Sequence, residues 1–261
     1  MTKTALITGA SSGIGRELAI LHAEKGGDLV LVARREEELM ALSAELKAKH
    51  GTRSLIIVKD LTDEAAPEEI YTLLKTQGVE IDYLINNAGF GGRGKFHERE
   101  WDLDRSMIQL NVVALTALTR LFLPDFVARN HGRILNISST ASLVPGPLQA
   151  VYFATKAFVT SFSNALAGEV DDTNVTVTAL LPGATETEFA KTSDLEDTGL
   201  FARTVSARSV AKAGYTAMLA GKLNVIAGLA LPNRILLGLL PFLPRRTVLK
   251  QIRGLQETKS K

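Results

Sequence analysis

The chain has no cysteine, a single tryptophan and few aromatic residues, which make up 6% of its 261 positions. Without cysteine the protein forms no disulfide, has no thiolate nucleophile and binds no zinc through sulfur. The four histidines are scattered, and none stands at ligand spacing from another. We therefore predict no metal site. The composition fits a reducing compartment, and we expect a cytoplasmic protein.

An excess of either charge is also missing. Thirty basic and 28 acidic residues leave a net charge of +2, so nucleic acid is not the expected partner. The most apolar stretch, Val225–Pro244, is interrupted by Pro232, Arg234 and Pro241, which predicts no membrane-spanning helix. We expect it to pack on the protein or line a pocket, with membrane-surface contact as the alternative. Met1 leads directly into a predicted strand, without a recognisable signal peptide.

Short apolar runs alternate with longer stretches of helical periodicity along the whole chain. The helical type is shown by Glu36–His50, which carries leucine at positions 39, 42 and 46. The predicted strands are Ala5–Thr8, Leu29–Ala33, Leu55–Val58, Tyr83–Asn86, Ile134–Ser138, Val175–Leu180 and Asn224–Ile226. This alternation predicts a parallel α/β sheet with helices on both faces. No linker divides the chain, so we expect residues 1–261 to form one domain.

A glycine-rich loop, Thr8–Gly15, follows the first predicted strand and precedes a predicted helix, Ile14–Lys25. Glycines permit a tight turn and a close approach of the backbone to a pyrophosphate. The helix N-terminus adds unpaired N–H groups and the positive end of a dipole. A glycine trio alone is weak evidence, but its place between a strand and a helix predicts a dinucleotide site.

The end of the second strand bears on the choice of nicotinamide coenzyme. An acidic residue there would bind the ribose hydroxyls of NAD, but Ala33 stands near that position and Arg34 and Arg35 follow. A guanidinium suits a 2′-phosphate, which a carboxylate would repel. We expect NADP(H), with NAD(H) as the alternative. Arg35 also fits a solvated residue before the acidic helix start.

Three residues in the second half of the chain form a candidate proton-transfer set. Tyr152 and Lys156 are four residues apart in a predicted helix, which places them on one face. An ammonium near a phenol should lower its pKa and help it to exchange a proton with a carbonyl oxygen. Ser139 follows a predicted strand, at the sheet edge where ligands bind in open α/β folds. Each residue is unremarkable alone; their order and spacing carry the prediction.

These motifs, in this order, resemble the short-chain dehydrogenase/reductase family over nearly the whole chain. Asn86–Gly89 is similar to the family's NNAG segment, and Asn111 to its catalytic asparagine. The resemblance implies a Rossmann-type, doubly wound fold with a seven-stranded parallel sheet. It implies four catalytic residues, Asn111, Ser139, Tyr152 and Lys156. The cofactor contacts that it implies are Gly9, Ser11, Ser12, Gly13, Ile14, Gly15, Arg34, Asp60, Leu61, Asn87, Ala88, Gly89, Tyr152, Lys156, Pro182, Gly183 and Thr187.

The activity that the resemblance implies is the interconversion of a carbonyl and an alcohol. Tyr152 would transfer the proton, Ser139 would orient the carbonyl, and Asn111 with Lys156 would connect the site to solvent. We expect a substrate flap near residues 188–205. The apolar C-terminal extension, residues 227–261, suggests a lipophilic ketone, steroid-like or acyl substrate, although a core or oligomer contact explains it equally well. A homodimer or homotetramer is expected. A dinucleotide-binding sensor or scaffold without turnover is the alternative function.

Overall fold

A seven-stranded parallel sheet forms the centre of the molecule. The computed structural model describes residues 2–230, 237–239 and 243–257. The strands of the sheet are β1 (Thr4–Thr8), β2 (Asp28–Ala33), β3 (Ser54–Val58), β4 (Tyr83–Asn86), β5 (Gly132–Ile137), β6 (Val175–Pro182) and β9 (Asn224–Ala227). Their spatial order is β3-β2-β1-β4-β5-β6-β9, and each neighbouring pair is parallel. The predicted Rossmann-type fold is confirmed, and every predicted strand is present, with ends that differ from the prediction by at most two residues.

Helices cover both faces of the sheet, as the fully apolar strands require. The helices are α1 (Gly13–Glu24), α2 (Glu36–His50), α3 (Ala66–Thr76), α4 (Trp101–Ile108), α5 (Leu115–Ala128), α6 (Ala150–Glu169), α7 (Phe189–Thr192), α8 (Ala207–Leu219) and a C-terminal helix (Arg245–Gln256). Residues of α1, α2 and α8 pack into the core on one face. Residues of α3, α5 and α6 pack into the core on the other.

The strand order reverses direction between β1 and β4, which opens a crevice at their carboxyl ends. Thr8, the last residue of β1, joins the two loops there. Its hydroxyl accepts hydrogen bonds from the N–H groups of Asn87 and Ala88, both at 3.0 Å. The Asn87 amide donates to the Thr8 carbonyl at 2.9 Å. The glycine-rich loop after β1 and the segment after β4 are therefore held together.

A chain of hydrogen bonds between buried polar side chains connects strands β4 and β5 to helices α5 and α6. The Asn86 amide donates to Thr119 of α5 at 3.1 Å and to Asn136 of β5 at 2.9 Å. Asn136 in turn donates to the Ser163 hydroxyl of α6 at 2.9 Å. Because buried polar groups are costly without partners, these hydrogen bonds fix α6, which carries Tyr152 and Lys156, against the sheet.

One helical stretch of the described chain, Trp101–Ala128, is long and apolar enough to cross a membrane by length and composition. It comprises α4, a π-helical segment (Gln109–Ala114) and α5. Leu118, Phe122 and Phe126 on this stretch are buried in the core against the sheet. Core helices of globular proteins pass the same test, so this stretch is weak evidence for a membrane span.

The segment between β6 and α8 forms a cap over the carboxyl edge of the sheet. It contains α7, a short 3₁₀ turn at Gly199–Phe201, and a two-stranded pair, β7 (Thr185–Glu186) with β8 (Val205–Ser206). The predicted flap, 188–205, falls within this cap. Part of the predicted extension 227–261 lies outside the described residues, and the part inside them ends in the C-terminal helix.

Candidate active site

The glycine-rich loop has the backbone that its sequence predicts. Gly9 and Gly13 adopt positive φ angles of 65° and 54°, which other residues rarely tolerate. Ser12 caps α1 in an extended conformation, and its side chain makes no capping bond to the first turn. A Cβ at Gly13 would lie 2.9 Å from the Thr187 methyl group. The loop thus leaves backbone N–H groups available for an anion, and Thr187 lies beside it.

The two arginines after β2 have different partners. Arg34 has a 73% exposed side chain, and its single ion pair among the described residues is to Asp60 at 3.5 Å. The Asp60 carboxylate also accepts the Thr62 N–H at 2.9 Å. Arg35 donates to the Ser11 hydroxyl at 3.1 Å and pairs with Glu188 at 3.0 Å. Arg34 therefore extends into solvent at the end of β2, whereas Arg35 links the loop to the cap.

Tyr152, Lys156 and Ser139 meet at the carboxyl edge of the sheet, as their order predicts. The Lys156 ammonium lies 5.9 Å from the centre of the Tyr152 ring and donates to the Ile137 carbonyl at 2.8 Å. A hydrogen bond joins the hydroxyls of Ser139 and Tyr152. Ser139 also accepts the Ala141 N–H at 3.1 Å, which fixes its side chain. The three side chains therefore lie together at this edge of the sheet.

Asn111 lies in the π-helical segment between α4 and α5 and is buried. Its amide nitrogen donates to the Phe90 carbonyl at 2.9 Å and to the Thr155 hydroxyl at 3.1 Å. A Cβ at Gly89 would lie 2.9 Å from the Asn111 side-chain oxygen and 3.4 Å from the Lys156 ammonium. Asn111 and Lys156 thus both lie beside Gly89 of the NNAG segment, and π-helical turns of this kind are frequent at functional sites.

The remaining positions predicted to contact a cofactor lie around the same crevice. Gly183 donates its N–H to the Ala227 carbonyl at 2.8 Å, which fixes the turn after β6. Ser139 approaches the Pro182 carbonyl at 3.5 Å. Leu61, in the loop that follows β3, is buried. The predicted set is therefore collected along one edge of the sheet.

The sequence predicted that Lys156 would lower the pKa of Tyr152, and this prediction is wrong, because that pKa is raised in the structure. Burial raises the pKa of Tyr152 to about 12, and the hydrogen bond with Ser139 offsets only part of this effect. Burial also lowers the pKa of Lys156 to about 8. The ammonium donates to the Ile137 carbonyl, and desolvation of the phenolate dominates. At neutral pH, Tyr152 is therefore a protonated phenol beside a charged lysine.

Apolar side chains enclose the Tyr152 phenol. Phe189, at the start of the cap helix α7, lies over it with 5.3 Å between the ring centres. Phe153 makes an edge contact at 6.1 Å. Partly buried Ile252 of the C-terminal helix packs on the same cluster. Other members are Met107, Ala141, Phe90, Val144 and Val151. The site is thus closed by residues from the cap and from the end of the chain.

Two contacts at this site could not be predicted from the sequence. Glu188 of the cap binds Arg35 across 153 positions. Gln149, three residues before Tyr152, donates its amide to Gln256 of the C-terminal helix at 2.7 Å, and both side chains are buried. The two glutamines are 107 positions apart, so no local sequence pattern indicates that they form a hydrogen bond. The apolar character of the C-terminal stretch was the only signal that it lines the site.

The family model for short chain dehydrogenases matches residues 3–198. The chain belongs to this family. Within short-chain dehydrogenases, it is 36% identical over 197 residues to a human very-long-chain 3-oxoacyl-CoA reductase, with 72% of this chain and 61% of that protein covered. The match covers 64% and 62% of two other curated relatives, so this chain spans less than two thirds of their length.

Solved short-chain dehydrogenases superimpose on nearly the whole chain. An enzyme from Sphingobium yanoikuyae in complex with NADPH is 32% identical, covers 99% of both chains and has a TM-score of 0.83. A bulky-bulky ketone specific alcohol dehydrogenase from Comamonas testosteroni is 30% identical, covers 93% of this chain and 95% of its own, and has a TM-score of 0.79. These relatives are named as dehydrogenases, and the chain shares their fold over nearly its whole length.

Replacing Lys156 with methionine should stabilise this short-chain dehydrogenase while removing its activity. A buried ammonium whose pKa falls to about 8 is less stable in the folded than in the unfolded chain below that pH. We expect the free energy of unfolding at pH 7 to rise by about 1–3 kcal/mol in Lys156→Met. In the wild type, stability should increase as the pH rises from about 8 towards the ordinary lysine value.

Urea unfolding at pH 7 and pH 9.5 measures both effects. Lys222→Met, at an exposed lysine, is the matched control and should change neither quantity by more than about 0.5 kcal/mol. A Lys156→Met protein that is less stable than the wild type at pH 7 would contradict this account of the buried charge.

Proposed function

We propose that this enzyme uses NADPH to reduce the carbonyl group of a lipophilic ketone or acyl substrate. The apolar enclosure of the Tyr152 phenol by Phe189, Phe153 and Ile252 carries the proposal. A polar substrate would lose its hydration there without gaining partners, whereas an apolar one gains from burial. The names of the relatives support this class, because they include a very-long-chain 3-oxoacyl-CoA reductase and a bulky-ketone dehydrogenase.

The residues along the crevice fit NADPH. The Gly9–Gly15 loop, with its tight backbone and uncapped helix start, suits the pyrophosphate. Arg34 is exposed at the end of β2, where a guanidinium suits a 2′-phosphate. Asp60 lies beside it for the adenine, and Thr187 borders the loop from the cap. When bound, NADPH supplies the hydride, and the protein supplies orientation and the proton.

The protonation state of Tyr152 favours reduction. A phenol whose pKa is raised to about 12 is a proton donor at neutral pH and donates to the carbonyl oxygen. The Ser139 hydroxyl, bonded to Tyr152, holds that oxygen in place. The Lys156 ammonium, 5.9 Å from the ring centre, is held by the Ile137 carbonyl and places a positive charge beside the site. Asn111 joins Phe90 to Thr155 and so fixes the loop beside the substrate carbonyl.

A substrate panel tests the proposed class. We would follow NADPH absorbance with 3-oxoacyl thioesters of increasing chain length, bulky aromatic ketones and keto sugars. The value of kcat/KM should rise by up to about fourfold per added methylene while the chain still fits the apolar cluster. Higher kcat/KM for keto sugars than for lipophilic ketones would refute the substrate class. NADPH binding without turnover on any member would refute the catalytic proposal itself.

Coenzyme preference should depend on Arg34. In Arg34→Gln, kcat/KM with NADPH should fall by about 10–100-fold, because a charge-assisted hydrogen bond to the 2′-phosphate is lost. The value with NADH should change less than about threefold. Arg105→Gln is the matched control, since Arg105 is also exposed and also pairs with an aspartate, Asp102. Equal losses of kcat/KM with NADPH and NADH in Arg34→Gln would show that Arg34 does not bind the 2′-phosphate.

We also propose a cytoplasmic homodimer or homotetramer. Val113 and Val127, on the long helical stretch, and Phe158 of α6 are 43%, 41% and 39% exposed. Exposed apolar side chains on two adjacent helices suit packing against a second copy. Sedimentation velocity at micromolar concentration would give the state, and a monomer there would contradict this assembly.

A further inference from the structure

The C-terminal helix, Arg245–Gln256, has two different faces. Val248 and Gln256 are buried, and Ile252 packs on the cluster around Tyr152. These residues, spaced four apart, form the inner face. The outer face consists of Arg246, Leu249, Lys250 and Arg253, at i, i+3, i+4 and i+7, and all four are exposed.

The outer face is strongly cationic. Of the residues from 237 to 257, four are basic and one, Glu257, is acidic. Glu257 pairs with Arg253 at 2.8 Å. No carboxylate within the described parts of the chain forms an ion pair with Arg246 or Lys250. The positive charges of Arg246 and Lys250 are therefore available to bind an external partner.

Exposed leucines accompany the cations. Leu249 is 36% exposed within the outer face, and Leu239 and Leu243, just before the helix, are 52% and 38% exposed. Isolated exposed leucines are ordinary, but cations interleaved with leucines on a helix are typical of segments that lie in a membrane interface. The leucines would enter the acyl region while the cations meet the headgroups.

We propose that the outer face binds an anionic lipid surface. This goes beyond the reductase function, because vesicle binding requires neither cofactor nor turnover. It has a consequence for the reaction, since Ile252 on the inner face belongs to the apolar wall around Tyr152. A lipophilic substrate dissolved in the bilayer would then lie beside the wall of the active site.

Vesicle flotation with the full-length protein tests the proposal. The probes are phosphatidylglycerol/phosphatidylcholine vesicles and phosphatidylcholine vesicles, each at 50 mM and 500 mM NaCl. We expect binding to the anionic vesicles at low salt, loss of that binding at high salt, and weak binding to the neutral vesicles. In the double variant Arg246→Gln/Lys250→Gln, the partition coefficient should fall by about 30-fold, because each cation contributes about fivefold.

Lys25→Gln/Lys222→Gln, which removes two exposed lysines elsewhere, is the control for net charge and should bind as the wild type does. The thermal midpoints of this control and of Arg246→Gln/Lys250→Gln should both match that of the wild type. This comparison separates a loss of binding from a loss of folding. No binding to anionic vesicles at low salt would overturn the proposal, as would equal losses in both double variants. A changed sedimentation coefficient in Arg246→Gln/Lys250→Gln would identify the face as a protein interface and overturn it too.

Discussion

Replacing Tyr152 with phenylalanine is expected to lower kcat/KM for carbonyl reduction by about 10³-fold. The substitution removes the hydroxyl that donates the proton and keeps the ring between Phe153 and Phe189. The hydroxyl bonds to Ser139, whose side chain stays fixed by the Ala141 N–H when that bond is lost. We therefore expect the thermal midpoint and NADPH affinity to stay close to those of the wild type. Stopped-flow absorbance of NADPH, together with a binding titration, measures the two quantities separately.

The matched control is Tyr71→Phe, which removes the same atom far from the site. The Tyr71 hydroxyl of α3 donates to Asp125 of α5 at 3.0 Å, away from the residues of the site, so its loss should leave kcat/KM within about twofold. If Tyr152→Phe keeps more than a tenth of the wild-type activity, Tyr152 is not the proton donor. Equal losses in the two variants would indicate a general effect on the fold.

The second large effect is expected at Gly15, where any side chain meets the phosphate loop. A Cβ there would overlap the carbonyl oxygen of Gly9 and the amide nitrogen of Asn87. Both partners are fixed, since Asn87 donates to the Thr8 and Gly9 carbonyls. In Gly15→Ala, the loop must separate from α1. We expect the free energy of unfolding to fall by about 1–3 kcal/mol and NADPH affinity to fall by about 100-fold.

Gly168→Ala provides the same substitution in a helix with open space. No heavy atom lies within 4 Å of a Cβ built at Gly168 in α6, so alanine should stabilise the protein by roughly 0.5–1 kcal/mol. Denaturant titration and fluorescence titration with NADPH compare the pair. Unchanged NADPH affinity in Gly15→Ala would show that the close approach of loop and helix is not required.

The features that the sequence predicts are the ones encoded locally. The Gly9–Gly15 loop, the apolar strands and the Tyr152–Lys156 spacing each depend on residues within one element or turn, so their pattern survives without tertiary information. The short β7–β8 pair escaped prediction because two residues per strand carry no periodicity. The observed ends of β5 and β6 differ from the predicted ends because pairing with neighbouring strands, more than the local propensity of the residues, determines where a strand stops.

The features that escaped prediction depend on contacts distant in sequence. Phe189 covers Tyr152, and Arg35 binds Glu188, only because the cap folds back over the sheet. The raised pKa of Tyr152 follows from that coverage; proximity to Lys156 alone suggested the opposite direction. Single-sequence patterns describe which groups are present at a site, whereas the degree of their burial depends on the complete tertiary structure.

The bond between Gln149 and Gln256 also sets an order of assembly during synthesis. All seven strands of the main sheet precede residue 228, so a nascent chain can complete its sheet before the C-terminal helix leaves the ribosome. The side chains of Gln149 and Phe153, at the start of α6, would face an open gap until that helix arrives. The wall of the catalytic pocket is therefore completed by a helix that is synthesised after all seven strands of the sheet.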